Sequence, residues 1–196
     1  MRLYAIAVGW ILLAISIAQA LVPAPYDWQR NTVSELAAQA YEMAWIMRAG
    51  FIGFGGLLTV GAGQRLMINV KENRPDAFVL LYGMAVLLSG VYSTAPFVEG
   101  VFYSEPEVRT HSLMATVAGV AISLGMAGRM ITEPAPMRKF FHLAALVLVL
   151  ILSILFGVLA EGTGIIQRAL YLVGFVWLVG SETISLQMRS KSQDGW

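Results

Sequence analysis

The chain contains no cysteine, so disulfides, thiolate nucleophiles and cysteine metal sites are excluded. It has only two histidines, His111 and His142. Charge is scarce as well. Asp, Glu, Lys and Arg make up 13% of the 196 residues, where a soluble domain carries about 25%. The net charge of +1 leaves no basic field for nucleic acid. No polar linker is long enough to separate two domains.

What is present is apolar length. Hydrophobic residues make up 58% of the chain, more than a soluble fold of this size could hide, whereas a bilayer solvates the outer face of a bundle. A spanning helix needs about 20 mostly apolar residues, and six segments qualify, near 3–22, 45–67, 77–98, 111–130, 141–160 and 165–186. The expectation is an all-α integral membrane bundle of six transmembrane helices forming one domain. Arg2, the first apolar run and Ala18-Gln19-Ala20 also fit a secretory leader. The run is long for a leader core, so the segment is read as a retained first span.

Orientation follows from Lys and Arg in short loops. Nine of the 13 lie on one side: Arg2, Arg65, Lys71, Arg74, Arg129, Arg138, Lys139, Arg189 and Lys191. Arg30, Arg48, Arg109 and Arg168 lie on the other. Both termini are therefore expected in the cytoplasm of a multi-pass cell-membrane (inner or plasma membrane) protein. Packing has its own signature. Gly50, Gly53, Gly55, Gly56, Gly61 and Gly63 crowd the second span, and Ala115, Gly119 and Ser123 form a stripe on the fourth. Small residues of this kind let helix backbones approach closely in lipid.

The charges at the external ends are unusual. Asp27, Glu99 and Glu161 follow the outward-running helices, and Arg48, Arg109 and Arg168 stand near the starts of the inward-running ones. The helix dipole favours the reverse. Two explanations remain open: pairing between neighbouring helix ends, or a bound ligand. Under the second, Asp27, Arg30, Asn31, Arg48, Glu99, Arg109, Glu161 and Arg168 would line a polar external vestibule. Guanidinium groups suit carboxylate or phosphate, so the expected partners are membrane lipids and a small anionic or amphiphilic ligand.

The first external connector is the longest. In it Ser34, with Glu35 following, is expected to cap a short helix to about Met43. Tyr26, Trp28, Tyr41, Trp45, Phe102 and Tyr103 form an aromatic belt. His142, beside Arg138 and Lys139, reads as interfacial. The two histidines stand about a bilayer apart, so they cannot share a metal, and neither metal nor cofactor is expected. His111 shares the outer layer with Ser34, Glu35 and Glu99. These residue types could act as base, nucleophile and orienting acid, although no Gly-x-Ser-x-Gly elbow is present.

Asn31-Thr32-Val33-Ser34-Glu35-Leu36 after the first span, Gly50-Phe51-Ile52 opening the second, a lone His111, and Gly162 through Gln167-Arg168 with Trp177 form a pattern over nearly the whole chain. It resembles the membrane family named domain of unknown function 998, of bacteria and archaea. The resemblance implies one bundle of about six spans and marks Ser34, Glu35, His111 and Arg168 as matching polar positions. It departs from that pattern at Glu99, displaced from the acid expected near Pro96, and at Gln167, where an acid often precedes the arginine. The family name implies no particular activity. Three functions stay open: ligand binding at the external side, a serine-type hydrolase or transferase on a lipid-like substrate, and a structural or accessory subunit, as a homo-oligomer or with a partner membrane protein.

Overall fold

A computed structural model describes residues 2–71, 73–159 and 161–193, with side chains described to Leu186. Arg189, Lys191 and Ala160, assigned above to a loop side or a span end, lie outside the described side chains. Six α-helices follow in order, with no strand among the described residues: α1 (Leu3–Leu21), α2 (Ala44–Ile68), α3 (Asp76–Val91), α4 (Glu105–Thr132), α5 (Pro136–Val158) and α6 (Thr163–Gln193). Five are long and apolar enough to cross a bilayer, and α3 is a shorter apolar helix of 16 residues.

The starts and stops follow from local chemistry. Pro136 opens α5 and Pro106 sits in the first turn of α4, where a missing N–H costs nothing. The third apolar segment runs to Val98 in the sequence, but helix stops at Val91. Pro96 is the cause. Continuing the helix would require its nitrogen to donate to the Tyr92 carbonyl, and its ring would clash there. The segment that should cap a helix from Glu35 to Met43 is a single 3-10 turn, Ser34–Ala37.

Consecutive helices pack in sequence order and α6 returns to α1, closing a ring. The core holds Ile11, Met47, Phe54, Leu58, Met126, Trp177 and Leu178, all buried. Phe54 stands edge-on to Tyr82 at 6.0 Å and to Phe175 at 5.5 Å. Helix α5 fully buries only His142, Ala145 and Val149, packs Phe141 and Leu146 against the core, and turns most of its remaining apolar surface outward.

Two glycines decide how tightly α2 and α3 meet. A Cβ on Gly55 would lie 2.4 Å from the Gly83 carbonyl oxygen, and one on Gly83 would lie 2.8 Å from the Gly55 oxygen. The backbones touch there, as small residues allow. The stripe on α4 behaves differently. Gly119 is exposed and a Cβ there would meet nothing within 4 Å. The packed face of α4 is Ala118, Ala121, Ile122, Gly125 and Met126 instead.

His142 is not interfacial. It is 1% exposed, and its Nδ1 accepts the indole N–H of Trp177 at 3.0 Å. An indole can only donate, so this nitrogen carries the lone pair.

Candidate functional site

Polar residues gather at both ends of the bundle. The terminal end is where α1 begins and α6 approaches its close. The far end holds the first connector and the starts of α2, α4 and α6.

At the far end, the break in α3 strands several backbone groups. One is closed within the chain's own turn and the others find partners on neighbouring helices. The Leu88 carbonyl accepts from Tyr92 N–H at 2.9 Å. Arg48 of α2 donates from Nε to the Gly90 carbonyl at 3.3 Å and from Nη2 to the Val91 carbonyl at 2.8 Å. His111 of α4 sets Nδ1 at 3.0 Å from the Ser89 carbonyl and 2.9 Å from the Tyr92 carbonyl. Both partners are pure acceptors, so Nδ1 carries a proton. Glu107, one turn earlier on α4, accepts from Ser93 N–H at 2.8 Å. Arg48 and His111 are thus the C-cap of a helix to which neither belongs.

A second far-end cluster joins the first connector to α6. Gly164 and Ile165 donate backbone N–H to the carbonyls of Arg30 and Gln29 at 3.1 and 3.2 Å. A Cβ on Gly164 would lie 2.4 Å from the Asn31 carbonyl oxygen, so the connector rests directly on the helix start. Arg168 binds it there. Its Nη1 donates to the carbonyls of Trp28, Asn31 and Gly164, and its Nη2 to Gln19 Oε1 and the Tyr26 hydroxyl. Burial raises the Tyr26 phenol above its ordinary value, and the hydrogen bond and charge of Arg168 oppose the rise. Gln167 accepts from Val33 N–H.

Within the connector, Glu35 accepts from Thr32 N–H and Thr32 Oγ1, while Glu35 N–H donates to Thr32 Oγ1 at 3.3 Å. This reciprocal Thr-x-x-Glu pair is a capping box, so the capping residue is Thr32 rather than Ser34. Asn31 reaches both sides of the turn, donating to Glu35 Oε1 at 3.1 Å and accepting from Asp27 N–H at 2.8 Å.

The residues proposed from sequence therefore divide. Asp27, Asn31, Glu35 and Arg168 meet in the connector cluster, and Arg48 and His111 meet at the end of α3. The Ser34 hydroxyl lies 3.0 Å from Thr32 Oγ1. The described hydrogen bonds of His111 go to Ser89 and Tyr92, so no bond joins Ser34 to His111 among them. Arg30–Asp27 and Arg109–Glu105 are exposed surface pairs at 3.8 and 3.1 Å. Glu99 and Glu161 are exposed.

The terminal end holds residues that the sequence analysis counted only as loop charge or passed over. Asp76, 1% exposed, accepts from Arg65 Nε at 2.8 Å and from Arg129 Nη2 at 2.7 Å. Ser185 of α6 accepts from Arg65 Nη2. The Arg65 guanidinium also lies 5.2 Å from the centre of the Tyr4 ring. Glu182 accepts from Tyr4 N–H at 3.0 Å and Ala5 N–H at 3.1 Å, two amides that α1 itself leaves unpaired. One cluster thereby ties together α1, α2, α3, α4 and α6. Beside it lies a cavity of about 80 Å³ between α1, α2 and α6, where Arg65, Gln64, Glu182 and Ser185 face Leu3, Gly61, Ile68 and Leu186. The Tyr4 hydroxyl is buried with no hydrogen-bond partner among the described residues. Nothing in local periodicity announces this cluster. The available signal was four ionisable residues, Arg65, Asp76, Arg129 and Glu182, at the edges of apolar segments, which are functional candidates by default in a membrane protein.

A ring of apolar helices with its charged side chains, among the described residues, confined to the two ends defines a multi-pass helical membrane protein. The chain belongs to the family described as protein of unknown function (DUF998), whose model matches residues 5–181. No curated protein and no solved structure matches it significantly.

Proposed function

We propose that this protein binds the headgroup of a membrane lipid, or a small polar ligand of similar chemistry, in the cavity at the terminal end. The observation that carries this reading is the lining: a guanidinium, a carboxylate, an amide and a hydroxyl converge there. The rim is apolar, and Ile68 on it is exposed, as contact with an acyl chain would require. The volume is below the roughly 300–1,000 Å³ of a drug-sized pocket, so it suits part of an amphiphile rather than a whole soluble ligand.

The excess of Lys and Arg in the loops at this end supports assigning it to the cytoplasmic leaflet. Binding of an anionic ligand at the external end is the weaker reading, because Arg48 and Arg168 are engaged by the protein's own carbonyls. A Ser34–His111 hydrolase has less support, because no hydrogen bond joins the two side chains among the described residues. The test is retention of lipid through purification. Native mass spectrometry of the protein released from mild detergent should show bound phospholipid, and Gln64→Trp, which places an indole at the cavity, should remove it. A wild-type spectrum free of lipid after gentle extraction would sink the proposal.

A further inference from the structure

The cavity carries two opposite charges on one small wall. Arg65 lines it from α2 and Glu182 from α6, and both are buried. An anionic headgroup alone would meet the Glu182 carboxylate at low dielectric, and a cationic group alone would meet Arg65. In both cases the repulsion is strong away from water. Asp76 offsets Arg65 only in part, because it is shared with Arg129, so a group bearing both signs matches both walls best.

The hydrogen-bond capacity narrows this further. Each Glu182 oxygen already accepts one amide of α1. A carboxylate has about four acceptor sites, so roughly one per oxygen remains. A primary ammonium has three N–H donors to fill them, whereas a trimethylammonium has none. Arg65, held by Asp76 and Ser185, presents a guanidinium suited to phosphate. We infer, building on the headgroup-binding reading above, that the cavity selects a phospholipid whose headgroup joins a phosphate to a primary ammonium, with the ammonium on Glu182 and the phosphate toward Arg65.

The experiment places the full-length protein in nanodiscs containing equal parts phosphatidylethanolamine, phosphatidylcholine and phosphatidylglycerol, then releases it for native mass spectrometry. The ethanolamine lipid should be retained at least threefold above each of the others. Glu182→Gln should bring that ratio to about one. Because Glu182 also holds the start of α1, Gln64→Trp is run in parallel, and it should abolish retention while leaving the fold, read by circular dichroism, unchanged. Retention of no lipid at all overturns the headgroup-binding reading itself. Retention without an ethanolamine preference, or with a glycerol preference, leaves that reading in place and overturns the selectivity. An ethanolamine preference untouched by both variants also overturns it, because the preference then arises elsewhere. Excess free phosphoethanolamine should leave the lipid bound, and full displacement overturns the lipid as the ligand's source.

Discussion

The Arg48 guanidinium donates to the Val91 carbonyl at 2.8 Å, so a cation at the start of α2 closes the end of α3. Antiparallel neighbours place one helix's N-terminus beside the other's C-terminus. A charge at the unfavourable end of its own helix therefore stands at the favourable end of the next. Glu182 does the converse, an acid late in α6 serving the first amides of α1. Arg48→Met should leave the Gly90 and Val91 carbonyls unpaired and lower stability by about 1–3 kcal/mol. Arg48→Lys should recover part of the loss. Reversible unfolding in mixed micelles measures both, and an Arg48→Met variant as stable as wild type would refute the capping role.

Asp76 is shared by two guanidiniums, which makes its loss asymmetric. Asp76→Ala leaves Arg65 and Arg129 buried without their anion, and breaking a buried pair in this way costs about 3–5 kcal/mol. Arg129→Met leaves Asp76 still paired with Arg65. It should cost clearly less than Asp76→Ala. Equal losses in the same unfolding assay would mean that the two arginines do not act through Asp76.

Glycine substitutions should separate packing from lipid exposure. Gly55→Ala pushes a methyl group into the Gly83 backbone, and overpacking of that kind costs about 1–3 kcal/mol. Gly119→Ala meets open space and should stay within about 0.5 kcal/mol of wild type. Melting temperatures in one detergent decide the matter. A large effect at Gly119 would show that its face packs against something outside this chain.

The two glycines also mark what could be read from sequence. Their composition is visible there, but the face each occupies is not. The six apolar segments were legible because bilayer length is a coarse constraint that each helix must meet alone. The third overran because apolar content continues to Val98, while Pro96 bars helix over that stretch by a stereochemical rule that hydropathy does not register. The Thr32-x-x-Glu35 box was readable, yet Ser34 drew attention as a potential nucleophile. The reversed charges could not be resolved from single helices, because the groups they serve belong to neighbours. Asp76 was missed because an acid at a helix start already suits its own dipole, which gives no sign of another partner.

Trp177 and His142 test a buried polar pair. Trp177→Phe removes the donor and leaves His142 Nδ1 buried and unpaired, a loss of about 1–3 kcal/mol. His142→Phe instead orphans the indole N–H. If the bond matters, the double variant should be less unstable than the sum of the singles, since neither polar atom is then left alone. Strict additivity would show that the two side chains contribute only volume.

Arg168 offers the sharpest test of the far-end cluster. Its two terminal nitrogens reach five acceptors on α1, the connector and α6. The planar fork makes that possible, and a lysine ammonium has only three donors at one point. Arg168→Lys should therefore free the connector from the start of α6 while leaving the spanning helices in place. Limited proteolysis should then cut between Pro23 and Met43 at a rate at least tenfold above wild type, with circular dichroism unchanged. Ser34→Ala is the control. Its hydroxyl bonds only to Thr32 among the described residues, so its cleavage rate should match wild type. If Arg168→Lys is as resistant as the control, the connector is held by the backbone contacts of Gly164 and Ile165 alone, and Arg168 must be assigned another task.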